Sequence, residues 1–403
     1  MHIRPTTDED RDVFVTTLLT AFGLTPDTPA EDGGGVWWAA AEMDRNLLAE
    51  TEDGTPVGTA GSYTFELTLP GGQLISAPGV TAVGVLPTHR RRGALTAMMR
   101  HQLNDFRAQG ESLAVLLASE ALIYRRFGYG PATYTQRLTV PHHRAALIET
   151  PETPGTVEVL HREAAVEIME QVYDTYRRTQ PGALSRPHRW WEKRAGQPPI
   201  APAHRYIAVH RDANGVPDGY ASYSKDGSTL TVDETIAGDD AVFTALARYV
   251  LEHDLTEKTV FKQFPPEHPL RWQFVDLRGP ELGGHMDWLW VRLLDIPRAL
   301  AARSWFTDGE LVLDVEDRFL GEGEGEHGRY LLTVTDGKAE CVRTDRDPDL
   351  SLDVSDLGSI YLGGTTPTTL ARAGRIHAHH PDAASRADAL FRAERPPHCL
   401  HWF

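Results

Sequence analysis

The sequence predicts a mixed α/β protein of three consecutive units. Its 403 residues suffice for two to three domains. Two stretches repeat the same order of elements: a helix, then strands, a second helix and a closing strand. A third stretch alternates strands with short helices of its own.

In the first unit Thr7 is placed to cap a helix over Asp8 to Ala21, with Val13, Phe14, Leu18 and Phe22 as its apolar face. Asn46 to Glu50 and Pro56 to Tyr63 read as strands meeting at the hairpin turn Glu52-Asp53-Gly54. Strands are predicted again at Gln73 to Ser76 and Gly79 to Leu86. A helix over Gly93 to Gln109, a strand over Leu113 to Ala118 and a short helix carrying Tyr124 complete the unit. After the proline-bearing stretch Glu149 to Gly155, a helix near Glu163 to Arg178 opens the second unit. Strands at Arg205 to His210, Gly219 to Ser224 and Thr229 to Thr235 lead to a helix over Asp240 to Glu252 and a strand at Lys258 to Phe261. The third unit starts a helix at Asp295-Ile296-Pro297, with proline in the first turn. Strands follow at Gly309 to Val315, Arg329 to Thr335 and Lys338 to Val342, then helices at Ser355 to Leu362, Thr368 to Ala373 and Ala383 to Phe391. These readings divide the chain into residues 1–150, 151–288 and 289–403.

Composition excludes several classes. Hydrophobic and charged fractions are ordinary for a folded domain, so disorder is not expected. No apolar run approaches bilayer length, and the start Met1-His-Ile-Arg-Pro lacks a signal peptide's apolar core. The two cysteines, Cys341 and Cys399, form no paired spacing, which fits a reducing compartment and a cytoplasmic location. A formal net charge of −17 argues against nucleic acid. It favours a cationic partner, although solubility alone also accounts for it.

The strongest chemical signal is Val83-Gly84-Val85-Leu86-Pro87-Thr88-His89-Arg90-Arg91-Arg92-Gly93-Ala94-Leu95-Thr96. An apolar strand ends at Pro87, a basic loop follows, and Gly93 opens an amphipathic helix. Unpaired backbone N–H groups and the dipole at that helix start form an anion site, and arginines can pair with phosphate oxygens. The loop suits a pyrophosphate but lacks the lysine-serine or lysine-threonine ending of a nucleotide-binding P-loop. Alone it also fits a basic surface turn. Context favours chemistry, because Ser119-Glu120-Ala121-Leu122-Ile123-Tyr124-Arg125-Arg126-Phe127-Gly128-Tyr129-Gly130 follows at the end of the next strand.

Arg90-x-x-Gly93 resembles the pyrophosphate loop of the GNAT superfamily of N-acetyltransferases, with Leu95 where that pattern usually carries Gly or Ala. The run Arg-Arg-Arg-Gly, then Ser-Glu, then Ile-Tyr-Arg-Arg-Phe-Gly-Tyr-Gly, resembles the Eis (enhanced intracellular survival) family within that superfamily. The likeness is dense over Val80 to Ala132 and at the C-terminus, and architectural elsewhere. It implies tandem GNAT-like acetyltransferase domains followed by a C-terminal sterol-carrier-protein-like α+β domain. It implies acetyl-CoA as acyl-donor co-substrate, with Val83, Gly84 and Val85 pairing the pantetheine arm. Arg91, Arg92, Gly93, Ala94, Leu95 and Thr96 would cradle the pyrophosphate, with Ser119 and Glu120 also lining the cofactor. It further implies Tyr124 as general acid and a homo-oligomer such as a hexamer. The amine substrates implied are aminoglycosides, polyamines and lysine side chains.

A phenol near the strand ends can donate a proton to a departing thiolate, which independently favours Tyr124; a half-buried core tyrosine is the plainer alternative. A base is harder to find, because no Asp or Glu occurs between Glu66 and Asp105. The family resemblance implies that the terminal carboxylate of Phe403 enters the first domain's active site. The apolar tail Cys399-Leu400-His401-Trp402-Phe403 is suited to packing rather than fraying, and simple burial of its aromatics is the alternative.

Other signals are set aside. Gly323-Glu324-Gly325-Glu326-His327-Gly328 matches GxGxxG, but strand-like sequence follows it and its glutamates repel phosphate. The second unit has Ala237-Gly238-Asp239-Asp240 where the first has its arginines, a good helix cap and a poor phosphate site. His377, His379, His380, His398, Cys399 and His401 match no standard zinc spacing, so no metal is expected. A different class of function, a ligand- or lipid-binding protein that uses the third domain and retains CoA structurally, is the rival to catalysis.

Overall fold

The computed structural model describes residues 1–24, 40–149, 153–192, 205–321 and 325–403. The stretch Glu149 to Gly155 and the acidic turn at Gly323 fall partly outside these residues. The described residues form three sheets, of seven, seven and five strands.

The first domain carries β1 (His2–Pro5), β2 (Leu47–Glu50), β3 (Pro56–Thr68), β4 (Leu74–Val85), β5 (Leu113–Leu117) and β6 (Gly130–Pro131). Its helices are α1 (Arg11–Phe22), α2 (Ala94–Ala108) and the single-turn α3 (Ala121–Tyr124). The two strands predicted at Gln73 to Ser76 and Gly79 to Leu86 are one long strand, β4. Helix α1 begins after a one-turn 3-10 helix at Asp8–Asp10, and the Thr7 amide donates to Asp10 Oδ2 at 2.9 Å. Its buried face is Phe14, Thr17, Leu18 and Ala21. Val13 and Phe22, predicted to share that face, are exposed. At about 100° per residue each lies roughly a quarter turn off it, on opposite sides.

The second sheet comprises β7 (Tyr134–Pro141), β8 (Thr156–His161), β9 (Tyr206–Arg211), β10 (Pro217–Asp226), β11 (Thr229–Ala237), β12 (Lys258–Phe264) and β13 (Glu281–Asp287). Packed with it are α4 (Arg162–Arg177), α5 (His188–Glu192) and α6 (Asp240–Leu251). Then β14 (Leu289–Leu293) returns to the first sheet, pairing antiparallel with β5 and β6. The order of that sheet is β1-β2-β3-β4-β5-β14-β6, and of the second β13-β7-β12-β11-β10-β9-β8. Chain divisions at 150 and 288 therefore cut across the sheets. Strand β7, from the first span, pairs with β12 and β13, while β14, from the third, completes the first sheet. Local periodicity carries no record of which distant strand a segment will pair with.

The last domain has β15 (Gly309–Glu316), β16 (Gly328–Thr335), β17 (Lys338–Arg343), β18 (Leu350–Asp353) and β19 (Ile376–Ala378). Its helices are α7 (Ile296–Ala302), α8 (Val354–Tyr361), α9 (Pro367–Arg372) and α10 (Ala383–Phe391). Asp295 caps α7 by accepting from the Arg298 amide at 3.0 Å. Leu311, Leu313 and Val315 of β15 pack with Leu357 and Ile360 of α8 and Leu390 of α10. The same core continues through Val291 and Val115 to Phe65, so the first and third domains share one apolar interior. Among the described residues no helix is long and apolar enough to cross a membrane.

Candidate active site

The site forms where the first sheet opens. Strands β4 and β5 run parallel and pair at only two positions, Gly79 with Val115 and Val80 with Leu116. Beyond Val80, β4 continues along β3 on one edge, pairing Gly84 with Thr59 and Val85 with Gly58. Its other edge, from Thr81 to Val85, has no strand partner among the described residues. A register shift near Ala82, whose φ is 53°, bends β4 away, and Thr59 Oγ1 donates to the Ala82 carbonyl at 2.8 Å. The gap is wedge-shaped, and its open β4 edge carries Val83, Gly84 and Val85. An extended amide-bearing chain can pair with that edge as an added strand.

At the mouth of the wedge the three arginines divide their work. Arg90 turns back onto the protein, donating from Nε to the Val85 carbonyl at 3.2 Å and from Nη2 to the Ala21 carbonyl at 2.9 Å. It clamps the loop to the ends of β4 and α1. Arg91, at φ 62°, and Arg92 remain exposed. Gly93, at φ 87°, caps α2, and an added Cβ there would meet nothing within 4 Å, so its surroundings are open. The first intrahelical bond runs from the Ala97 amide to the Gly93 carbonyl at 2.9 Å. Amides of Ala94, Leu95 and Thr96 therefore lie in the helix turn that has no internal acceptor. Two exposed arginines next to three such amides in sequence fit a pyrophosphate.

Ser119 and Glu120 follow β5, and Glu120 is the N-cap residue of α3. Tyr124 closes that helix, 6% exposed, against Tyr129 with ring centroids 6.4 Å apart. Burial raises its phenol pKa above 10, a shift that a hydrogen bond from Ser119 opposes. Tyr124 belongs to the core with Val80 and Leu116, on one face of the split.

Phe403 lies on the other face. It shares a cluster with Ala77, Leu113 and Val115, the residues that alternate with Val80 and Leu116 along the two strands. Its ring meets Phe65 edge-on, with centroids 5.0 Å apart. A Cβ at Gly79 would fall 2.5 Å from Phe65 and 2.9 Å from Phe403, so only glycine seats the tail against the Gly79–Val115 pair. Tyr124 and Phe403 thus pack on opposite faces of the sheet beside the paired positions of β4 and β5. Gly79→Ala is expected to displace the Phe403 ring and cost about 1–3 kcal/mol of stability, measured by urea unfolding.

The tail reaches this position through the second domain. The His398 amide donates to the Pro181 carbonyl at 2.8 Å, and Gln180 Nε2 donates to the Pro396 carbonyl at 2.9 Å. Trp288 Nε1 donates to the His401 carbonyl at 3.2 Å. Residues 397–401 are all buried. Glu66, the carboxylate that precedes the acid-free stretch, is engaged with Arg177 at 3.0 Å. In the second domain Asp239 accepts from the Val242 amide at 2.8 Å, capping α6 where the first domain has its exposed arginines. Sequence reasoning passed over Gly79, the clamp made by Arg90, and the buried arginine that grips His401. No local pattern marks the partners of Gly79 and the buried arginine, which lie hundreds of positions away, or the Ala21 carbonyl that Arg90 meets 69 positions back.

Comparison with known proteins identifies the domains. The family described as "Acetyltransferase (GNAT) domain" matches residues 2–132 and again 182–293, and "Sterol carrier protein domain" matches 296–400. A protein of Streptomyces griseus named "Uncharacterized N-acetyltransferase" is 34% identical, covering 99% of both chains. The "N-acetyltransferase Eis" of Mycobacterium tuberculosis is 32% identical, covering 97% of this chain and 96% of that one. The crystal structure of Eis1 from Mycobacterium abscessus superposes over 100% of both chains, with a TM-score of 0.86 and 34% identity. GNAT acetyltransferases use acetyl-CoA as co-substrate. With this sequence likeness over nearly its whole length, the chain belongs to the Eis family of GNAT N-acetyltransferases.

Proposed function

We propose that this N-acetyltransferase moves the acetyl group of acetyl-CoA to a primary amine of a polycationic substrate, an aminoglycoside, a polyamine or a lysine side chain. The observation that carries this reading is the placement of Tyr124 and Phe403 on opposite faces of the β4–β5 opening. Pantetheine pairs with Val83, Gly84 and Val85, and its pyrophosphate rests on Arg91, Arg92 and the amides of Gly93 to Thr96, with Ser119 and Glu120 alongside. The amine nitrogen attacks the thioester carbonyl, an N–C bond forms and the C–S bond breaks. The carboxylate of Phe403 takes one ammonium proton and later releases it to water; Tyr124 donates its proton to the leaving thiolate, and the second N–H proton, lost as the amide forms, restores the phenol. A phenol pKa raised by burial keeps that donor protonated throughout the neutral range.

The polycation preference is supported by the net charge of −17, which attracts cations over distance. It is tested by coupled thiol release over amines of graded charge, from a monoamine to a polyamine and an aminoglycoside, at two ionic strengths. kcat/KM is expected to climb with substrate charge and to fall with salt. A profile flat in charge would retire the polycation reading.

The cradle makes its own prediction. Arg91→Glu or Arg92→Glu should weaken acetyl-CoA binding about 10- to 100-fold by calorimetric titration, the scale of a lost charge-assisted hydrogen bond. Thermal stability should hold, since both side chains are exposed. Wild-type affinity in both variants would remove these arginines from the site.

The chain also carries an exposed edge strand, β13, with Leu282 and Met286 uncovered and Trp272, Val275 and Leu277 exposed just before it. Such an edge favours self-association into a homo-oligomer such as a hexamer. Light scattering that finds only monomer at working concentration would remove that inference.

A further inference from the structure

Between the two GNAT domains lies a buried charged network that the catalytic reading does not use. Arg186 precedes α5, and its guanidinium is enclosed by the rings of Tyr173 at 4.1 Å and Trp191 at 5.3 Å. Nη1 and Nη2 donate to the two oxygens of Glu234 at 3.2 and 2.9 Å. Glu234 stands on β11 beside a register shift and also accepts from Tyr220 Oη at 2.8 Å. A further donor, Arg186 Nε, points at His401 Nδ1 at 2.9 Å. All four residues are buried.

An arginine only donates, so Nδ1 of His401 must accept, and the ring proton is placed on Nε2. Burial together with the adjacent Arg186 charge pushes the His401 pKa well below its ordinary value, which keeps the imidazole neutral. One tautomer and one ring orientation remain. That ring is wedged edge-on against Trp190 at 4.7 Å and Phe65 at 5.1 Å, and it stacks on Phe403 at 5.9 Å. A buried ion pair is weak evidence for stability, but its use as a device that fixes one arrangement is better attested. Here the arrangement is that of the two residues that follow His401.

We propose that Arg186, oriented by Glu234 and Tyr220, is the positioning residue for the tail: it locks His401 and thereby holds Phe403 at the β4–β5 opening. This gives the second GNAT domain, which has no arginine cradle of its own, a part in the first domain's chemistry. The proposal rests on the reading of the Phe403 carboxylate as base.

The test is Arg186→Lys in the full chain, with acetyl-CoA and one amine. Lysine keeps the charge for Glu234 but is a point donor that cannot serve Glu234 and His401 in a fixed fork. The expected result is a kcat loss of about 10- to 100-fold, the scale of a slightly misplaced reacting group. The dissociation constant of acetyl-CoA should stay at the wild-type value. The same substitution in a chain extended by a few residues beyond Phe403 should cost nothing more, because the carboxylate is already displaced. Wild-type kcat in a folded Arg186→Lys protein overturns the proposal, as does an equal loss in both backgrounds, which would mean that Arg186 acts elsewhere. An extension without effect overturns the carboxylate reading and this one with it. Should Arg186→Lys fail to fold, His401→Asn and His401→Leu decide. Asparagine Oδ1 can accept from Arg186, so Asn should retain more turnover than Leu, and equal losses would contradict the proposal.

Discussion

Extending the chain by a few residues past Phe403 is expected to lower turnover by about 10²–10⁴-fold, the range for removing a general acid or base. Stability should change little by comparison. The carboxylate would no longer lie at the opening, but most of the packing that holds the tail is upstream. Leu400 belongs to the second domain's core, His401 to an aromatic cluster, and Cys399 to the interior shared by the first and third domains. Amidating Phe403 by semisynthesis should give the same loss with almost no change of shape. The measurement is steady-state turnover beside a thermal melt. A chain whose extension unfolds it would show the tail as packing. A chain whose extension leaves turnover and amine affinity untouched would show that Phe403 is no base.

Tyr124→Phe should reduce kcat by about 10²–10⁴-fold while acetyl-CoA affinity stays near wild type. The hydroxyl matters when charge develops on sulfur, and the ring alone fills the space beside Tyr129 and Phe127. Because burial raises the phenol pKa, its loss should leave no limb in the neutral pH profile. The check is turnover at saturating substrates under conditions where chemistry limits the rate, with calorimetry for the cofactor. Unchanged turnover would return Tyr124 to the core.

What could be read from the sequence was whatever lies close together along the chain. The strand, arginines, glycine and helix from Val83 to Thr96 form one continuous run, and the structure folds them in that order as the end of β4, a turn and the start of α2. Helices with strong periodicity, such as α10, were placed at their ends. Where packing decides, the reading weakened. Val13 and Phe22 were given to the buried face of α1, yet that face is set by the β3 and β4 strands it meets. The exchange of β7 and β14 between sheets is a pairing of distant segments that no local pattern records. At the site, the clamp made by Arg90 came into view only with its two backbone carbonyls. A Cβ at Gly79 would meet Phe65 and also Phe403, which comes from far along the chain.

The most direct measurement of the central claim is a stoichiometry. The full-length protein is incubated with acetyl-CoA and a polyamine, released thiol is followed spectroscopically, and the amine is weighed by mass spectrometry. Acetyl transfer predicts thiol release that requires the amine, with one N-acetyl group gained for each thiol freed. Absence of amine-dependent thiol release across the whole panel of amines, or release without N-acetyl product, would contradict the account.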